Sequence, residues 1–352
     1  MASIQEFEKV LDKSDKSVAA FEERGTLQRI QHFLHSTPAA VPAIVLVVCV
    51  VVFGLAIGGK FFSQYTLTLI LQQIAVVGIL GAAQTLVILT AGIDLSIGVI
   101  MVISAVVMGN CALTYGLPAP VSIGIGMAVG TACGALNGFL VARMKLPPFI
   151  VTLGTWNIIM AVNFIYSENA TMRQADIEAT APFLGFFGLS FKLGSAVFTL
   201  GVIGMVLLVL GLWYALNHTA WGRHVYAVGD DPDAAELAGI RVNRVLLGVY
   251  ALAGLIAGFA AWVSIGRNGS ISPSWAVTDY NLQAITAAVI GGISLFGGRG
   301  SILGTLFGAL IVGVVSMGLN MLGADPQWKV LLTGVLIITA VAVDQWIRKV
   351  AG

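Results

Sequence analysis

The residues able to do chemistry in this chain are few, and most of them sit inside apolar runs. Asp94 is a carboxylate flanked by apolar stretches, Asn137 and Asn163 are amides within them, and Gln72, Gln73 and Gln84 are three more. Amides offer both donors and acceptors. They suit an uncharged polar solute as well as the bonding of one helix to the next. Trp156 and Trp262 have aromatic faces that fit stacking on a bound ring or anchoring at a membrane interface. A charge beside lipid is costly, so Asp94 has two readings. It is a group on a solute path, or it caps the free N–H groups of a helix starting near Leu95. Ser294 holds the equivalent place in a second, similar stretch, and serine is also a good cap, which favours the capping reading.

Catalysis has no visible seat. No GxxxxGK[ST] loop, nucleophilic triad or pair of acid/base carboxylates is present. His32, His35, His218 and His224 have no carboxylate or cysteine companions, so no metal site is expected. Cys49, Cys111 and Cys133 lie in apolar stretches without ligand or pairing spacing and read as small packing residues. The chain is expected to be neither an enzyme nor the holder of a cofactor.

The elements that must position these residues are membrane helices. Hydrophobic residues make up 58% of the 352 and charged ones only 10%, with a mean hydropathy of +0.94. Soluble domains carry roughly 25% charged residues, so this chain cannot cover a water-facing surface. Apolar runs of about twenty residues, the length that crosses a bilayer core, recur near 42–59, 66–89, 97–115, 119–142, 149–166, 194–216, 245–265, 281–297, 301–322 and 329–347. The expected fold is all-α, a polytopic bundle of about ten transmembrane helices. The third and eighth spans are interrupted by glycines and polar residues.

Ten spans place both termini on one side. With that side cytoplasmic, it holds 13 of the 18 Lys+Arg, as the positive-inside rule requires, although the amino-terminal tail supplies five of the 13. Residues 1–40 read as a cytoplasmic tail, in which Leu27, Ile30, Phe33 and Leu34 keep the spacing of a surface helix. No cleavable signal peptide is visible, so the first span is expected to direct insertion. Residues 41–350 read as the membrane domain, with a long external connection at 167–193 and a long cytoplasmic one at 217–244. Net charge is +1, which offers no field for nucleic acid.

A faint repeat relates the two halves. Residues 91–98 read AGIDLSIG and residues 291–298 read GGISLFGG; each interrupts an apolar run and each precedes a glycine-rich helix. Broken helices at matching places in two halves point to a transport pathway.

The cytoplasmic connection holds the most specific signal. Asp230, Asp231 and Asp233 precede Ala234-Ala235-Glu236-Leu237-Ala238-Gly239; Pro232 suits a first helical turn and Gly239 a stop. A short acid-started helix of this kind, spanning about 232–240, is either a solvated loop helix or a knob that fits a groove in a cytoplasmic partner. The run GDDPDAAELAGIRVNR resembles the coupling segment of permease subunits of bacterial ABC importers, with Ala234, Ala235, Glu236 and Gly239 matching its E-A-A…G element. AGIDLSIG, KLPPFIVTLGT and GGISLFGGRGS resemble segments of the ribose/xylose/arabinose/fructose branch of those permeases, and TAWGRHVYAVGDDP and VAVDQWIRKV are most similar to the fructose type. The similarity runs from about residue 40 to the end. After Gly239 the spacing is shorter than in the maltose-type element, so carry-over from that type is not supported.

The resemblance implies a permease subunit that translocates a monosaccharide across the bacterial inner membrane, fructose or a pentose such as ribose or xylose. It implies a homodimer, a cytoplasmic subunit that binds the ATP, and an extracytoplasmic sugar-binding protein. Ala234, Ala235, Glu236 and Gly239 then couple to the ATPase, and Asp94, Asn137, Asn163, Trp156 and Ser294 are the candidate path. Two rivals use the same sequence differently. A stand-alone ion-coupled carrier would depend on Asp94, and a membrane-embedded enzyme would need clustered acids or histidines that are not found.

Overall fold

A computed structural model describes residues 39–351. The expected amphipathic helix near 27–34 lies outside the described residues. Among the described residues the chain is a helical bundle with one small hairpin. In order it comprises α1 (Ala40–Ile57), α2 (Gln64–Leu89), α3 (Ile97–Gly109, continued by a π-helical turn Asn110–Thr114), α4 (Ala119–Ala142), α5 (Pro148–Ser167), α6 (Gln174–Thr180), a 3₁₀ turn (Pro182–Gly188), β1 (Ser190–Leu193), β2 (Ala196–Thr199), α7 (Leu200–His218), α8 (Ala220–Asp230), α9 (Pro232–Leu237), α10 (Val242–Asn268), a second 3₁₀ turn (Pro273–Val277), α11 (Tyr280–Ile290), α12 (Ile302–Met321) and α13 (Pro326–Ala351).

Among the described residues, eight helices are long and apolar enough to cross a membrane: α1, α2, α3 with its π turn, α4, α5, α7, α10 and α12. The expected span at 281–297 is corrected. α11 has 11 residues and ends where Gly291 and Gly292 stop the helix. The polar start Thr278-Asp279-Tyr280-Asn281 shortens it from one side, and the glycine turn shortens it from the other. The expected tenth span falls within α13, whose apolar part is Gln327–Thr339. The span expected from 194 begins later, at Leu200, because 190–199 forms the hairpin β1–β2 instead.

The helices start where local chemistry says they should. Ser63 caps α2, its Oγ accepting from the Thr66 amide at 3.1 Å. Pro120 and Pro148 lie in the first turns of α4 and α5, where a missing N–H costs nothing. α2 forms the centre of the bundle: every residue from Ile74 to Thr90 is buried, the mark of a helix surrounded by others. α4 and α10 pack backbone to backbone. A Cβ on Gly134 would meet the Tyr250 carbonyl, and one on Gly254 the Gly130 carbonyl, so small residues are obligatory in that seam.

One end is closed by the 167–199 connection. Phe187 packs edge-on against Trp262 with ring centroids 4.6 Å apart, and the Trp262 indole donates to the Phe183 carbonyl at 3.3 Å. Trp262 is therefore an anchor for this cap. Gln64 and Gln72 bind the hairpin: Gln64 Oε1 accepts from Ser195 Oγ at 2.8 Å, and Gln72 Nε2 donates to the Val197 carbonyl.

Candidate functional site: two helix breaks and the segment that joins them

At the other end the chain breaks two helices in the same way. α2 ends with Ala91 in the left-handed region (φ 58°) and the Gly92 amide donating to the Val87 carbonyl at 3.1 Å. α11 ends with Gly292 at φ 80° and the Ile293 amide donating to the Ala288 carbonyl at 3.1 Å. Each break then turns on one side chain. Asp94 Oδ1 accepts from the Ser96 amide at 2.7 Å, and Ser294 Oγ accepts from the Phe296 amide at 3.3 Å, two residues on in both cases. The repeat seen in the sequence is thus a repeat of local geometry. α3 and α12 start after these turns and run back through the bundle.

The candidate path residues near the first break form a sealed cluster. Asp94 Oδ1 also accepts from Ser96 Oγ at 2.6 Å, and Asn137 Nδ2 donates to the same Oγ at 2.8 Å. In the amide orientation that satisfies both atoms, Gln84 donates to the Asp94 carbonyl and accepts from its amide, each at 3.1 Å. Gln84, Ser96 and Asn137 have no exposed surface and Asp94 has 1%. This arrangement fits the capping reading, moved two residues along: the helix begins at Ile97, and Asp94 holds the turn that leads into it.

The remaining candidates are not brought to that cluster. Asn163 is buried and donates to the Pro273 carbonyl at 3.1 Å, on the capped side of α5. Trp156 is half-buried midway along α5. Ser294 lies in the second break with 1% exposure.

Between α7 and α10 the connection forms two helices. α9 matches the expected short helix but ends at Leu237, and α8 is a helix that the sequence reading left as loop. Thr219 Oγ1 starts α8 by accepting from the Gly222 amide at 3.2 Å. The apolar positions Val225 and Val228 face the bundle, a helical spacing legible in WGRHVYAV. Asp231 Oδ1 then starts α9, accepting from the Asp233 and Ala234 amides at 3.0 Å each. Ala235 is buried while Ala234, Glu236, Ala238 and Gly239 are exposed. Gly239 takes φ +85° and turns the chain back towards α10. The sequence reading missed Leu237, which is 91% exposed at the tip beside Glu236. Its signal was a leucine on a helix too short to bury it.

α8 ends inside a three-way backbone junction. The Leu89 carbonyl, at the end of α2, accepts from the Gly298 amide at 3.0 Å. Gly229 lies against both: a Cβ there would overlap the Leu89 carbonyl and stand 2.7 Å from the Gly298 nitrogen. A Cβ on Gly298 would in turn stand 2.8 Å from the Asp230 Cα. Tyr226 adds a side-chain tie, donating to the Gly300 carbonyl at 3.0 Å. The exposed tip at α9 is therefore one short step from both helix breaks.

Comparison with known proteins gives the family. A family model described as branched-chain amino acid transport system / permease component matches residues 66–341. The chain is 64% identical to the fructose import permease protein FrcC of Rhizobium meliloti over 349 residues, covering 99% of this chain and 97% of that one. It is 38% identical to the ribose import permease protein RbsC of Escherichia coli K12 (81% and 87% covered) and 35% identical to the D-allose transport system permease protein AlsC of the same strain (87% and 91%). No solved structure matches the chain. On the family match and on relatives aligned over nearly its whole length, the chain belongs to this family of membrane permease components of transport systems.

Proposed function

We propose that the chain is the membrane permease of an ATP-driven importer and that it carries a monosaccharide, fructose in the first instance. The fructose reading rests on the 64% identity to a fructose import permease; similarity to ribose and allose permeases keeps a pentose or another hexose as the nearest alternatives. Two copies form the channel, a cytoplasmic subunit binds the ATP, and an extracytoplasmic protein delivers the sugar. The segment 219–239 faces the cytoplasm, as do both termini, in the inner membrane.

The observation that carries the reading is the junction of Leu89, Gly229 and Gly298. A push on the exposed face of α9 reaches α8 through Asp231 and both breaks through Gly229, with no flexible linker between them. Breaks placed beside such a lever are what an alternating pathway needs. The ion-coupled carrier was expected to depend on Asp94, and Asp94 is bonded into a closed cluster instead.

Affinity capture of the tagged permease from membranes containing the ATP-binding subunit tests the coupling role. Wild type retains that subunit, whereas Glu236→Lys at equal membrane abundance loses it. Equal retention by both removes α9 from the contact.

A further inference from the structure

The sealed cluster at Asp94 leaves open where the solute passes, and a different set of residues answers. Arg267, in the last turn of α10, is exposed. Its Nη1 donates to the Gln73 carbonyl at 3.1 Å. Gln73 lies nine residues into α2, about 14 Å along a helix of roughly 39 Å. Tyr280, the first residue of α11, is half-buried and within electrostatic reach of that guanidinium. Asp279 beside it is exposed. Asn281 Nδ2 donates to the Leu95 carbonyl at 3.2 Å, and its backbone nitrogen would stand 3.0 Å from a Cβ on Gly98. The register of α11 on α2, with the Ala284 carbonyl against Gly81, puts Tyr280 about 20 Å along α2.

Asp279, Tyr280 and Asn281 therefore lie near the middle of the bundle's thickness, Arg267 reaches Gln73 from the end of α10 nearest the 167–199 cap, and both charged groups are exposed. Hydrocarbon does not tolerate exposed ions at that depth, so the face they line meets water. We propose that the sugar crosses along this strip of Gln73, Arg267, Asp279, Tyr280 and Asn281. One cation and one carboxylate leave the strip without net charge. Guanidinium and phenol donors stand beside carboxylate and amide acceptors, an inventory that suits a neutral polyhydroxylated ligand over an anion or an apolar molecule. The strip ends on Leu95, the residue after Asp94, so movement of the first break would alter its floor. The identity of the ligand rests on the transport reading above; the position of the strip does not.

The test uses the permease assembled with its partner subunits in proteoliposomes, with Cys49, Cys111 and Cys133 replaced by alanine and Asp279→Cys introduced. A charged, membrane-impermeant thiol reagent is expected to modify Cys at 279, and fructose with the binding protein is expected to slow that modification. Modification only by a lipid-soluble maleimide would put the strip against lipid. A disulfide between two copies without modification would put it in a closed seam. Modification that fructose leaves unchanged would show water without sugar contact. Each of these three results overturns the proposal, and none depends on what drives transport, so the ATP-driven reading stands or falls separately. Arg267→Ala should lower fructose uptake roughly tenfold, the loss of a charge-assisted hydrogen bond, with retention of the ATP-binding subunit unchanged. If that variant fails to reach the membrane, Tyr280→Phe removes a single hydroxyl and should lower uptake in the same direction. Wild-type uptake by a stable variant of either kind overturns the assignment.

Discussion

Gly229 and Gly298 meet backbone to backbone: a Cβ on the first would stand 2.7 Å from the nitrogen of the second, and the Leu89 carbonyl closes the contact. Gly229→Ala should therefore push α8 off both breaks. Overpacking of this kind costs about 1–3 kcal/mol, and uptake should fall further than thermal stability does. Gly211→Ala on α7, where a Cβ meets nothing within 4 Å, is the matched control and should transport normally. Thermal unfolding in detergent and uptake in proteoliposomes, measured on both variants, check the contrast.

Leu237→Ser should leave unfolding temperature unchanged, because the side chain is 91% exposed and supports nothing within the chain. Capture of the ATP-binding subunit should weaken. Gly239→Val adds a β-branched residue at φ +85°, a conformation costing on the order of 1–3 kcal/mol, and should distort the same contact face. Normal capture by both variants would reduce α9 to a loop helix.

Asp94→Asn keeps an oxygen for the Ser96 amide, and Asp94→Ala removes it and leaves buried donors unpaired, a penalty of about 1–3 kcal/mol. Asn should therefore transport at a substantial fraction of wild type, and Ala should be poorly folded. Loss of uptake by a well-folded Asn variant would mean that the carboxylate's charge is used. Uptake against pH, with unfolding measured alongside, separates these outcomes.

Cysteine labelling fixes the orientation. In intact cells Asp176→Cys, on exposed α6, should react with an impermeant reagent, and Asp231→Cys, at the exposed start of α9, should react only after the membrane is opened. Reaction of both positions from one side would contradict the proposed topology.

Much of this was legible in the sequence, and the reasons differ by element. Span boundaries could be read because apolar runs of bilayer length have few other uses, and Asp231 with Pro232 announced α9 through its own capping chemistry. The related breaks showed as a faint repeat because each needs a turn residue and a side-chain acceptor at a fixed offset, met by Asp94 and Ser294. The junction was not legible. Its contacts are between backbones, and Gly229 and Gly298 are two of 42 glycines that nothing in the sequence tells apart. α11 misled because TDYNLQAITAAVIGG has a span's apolar character over too few residues, and α8 went unseen because its eleven residues, though their apolar positions keep helical spacing, lie in a mostly polar connection.

In the proposed mechanism the lever at α9 drives both breaks with energy from ATP. Proteoliposomes containing the permease, its ATP-binding subunit and the sugar-binding protein allow fructose uptake and ATP hydrolysis to be measured together. Uptake is expected only when all three proteins and ATP are present, and hydrolysis with little uptake when the permease carries Gly229→Ala. Fructose uptake by the permease alone, driven by an ion gradient and abolished by a protonophore, would contradict it.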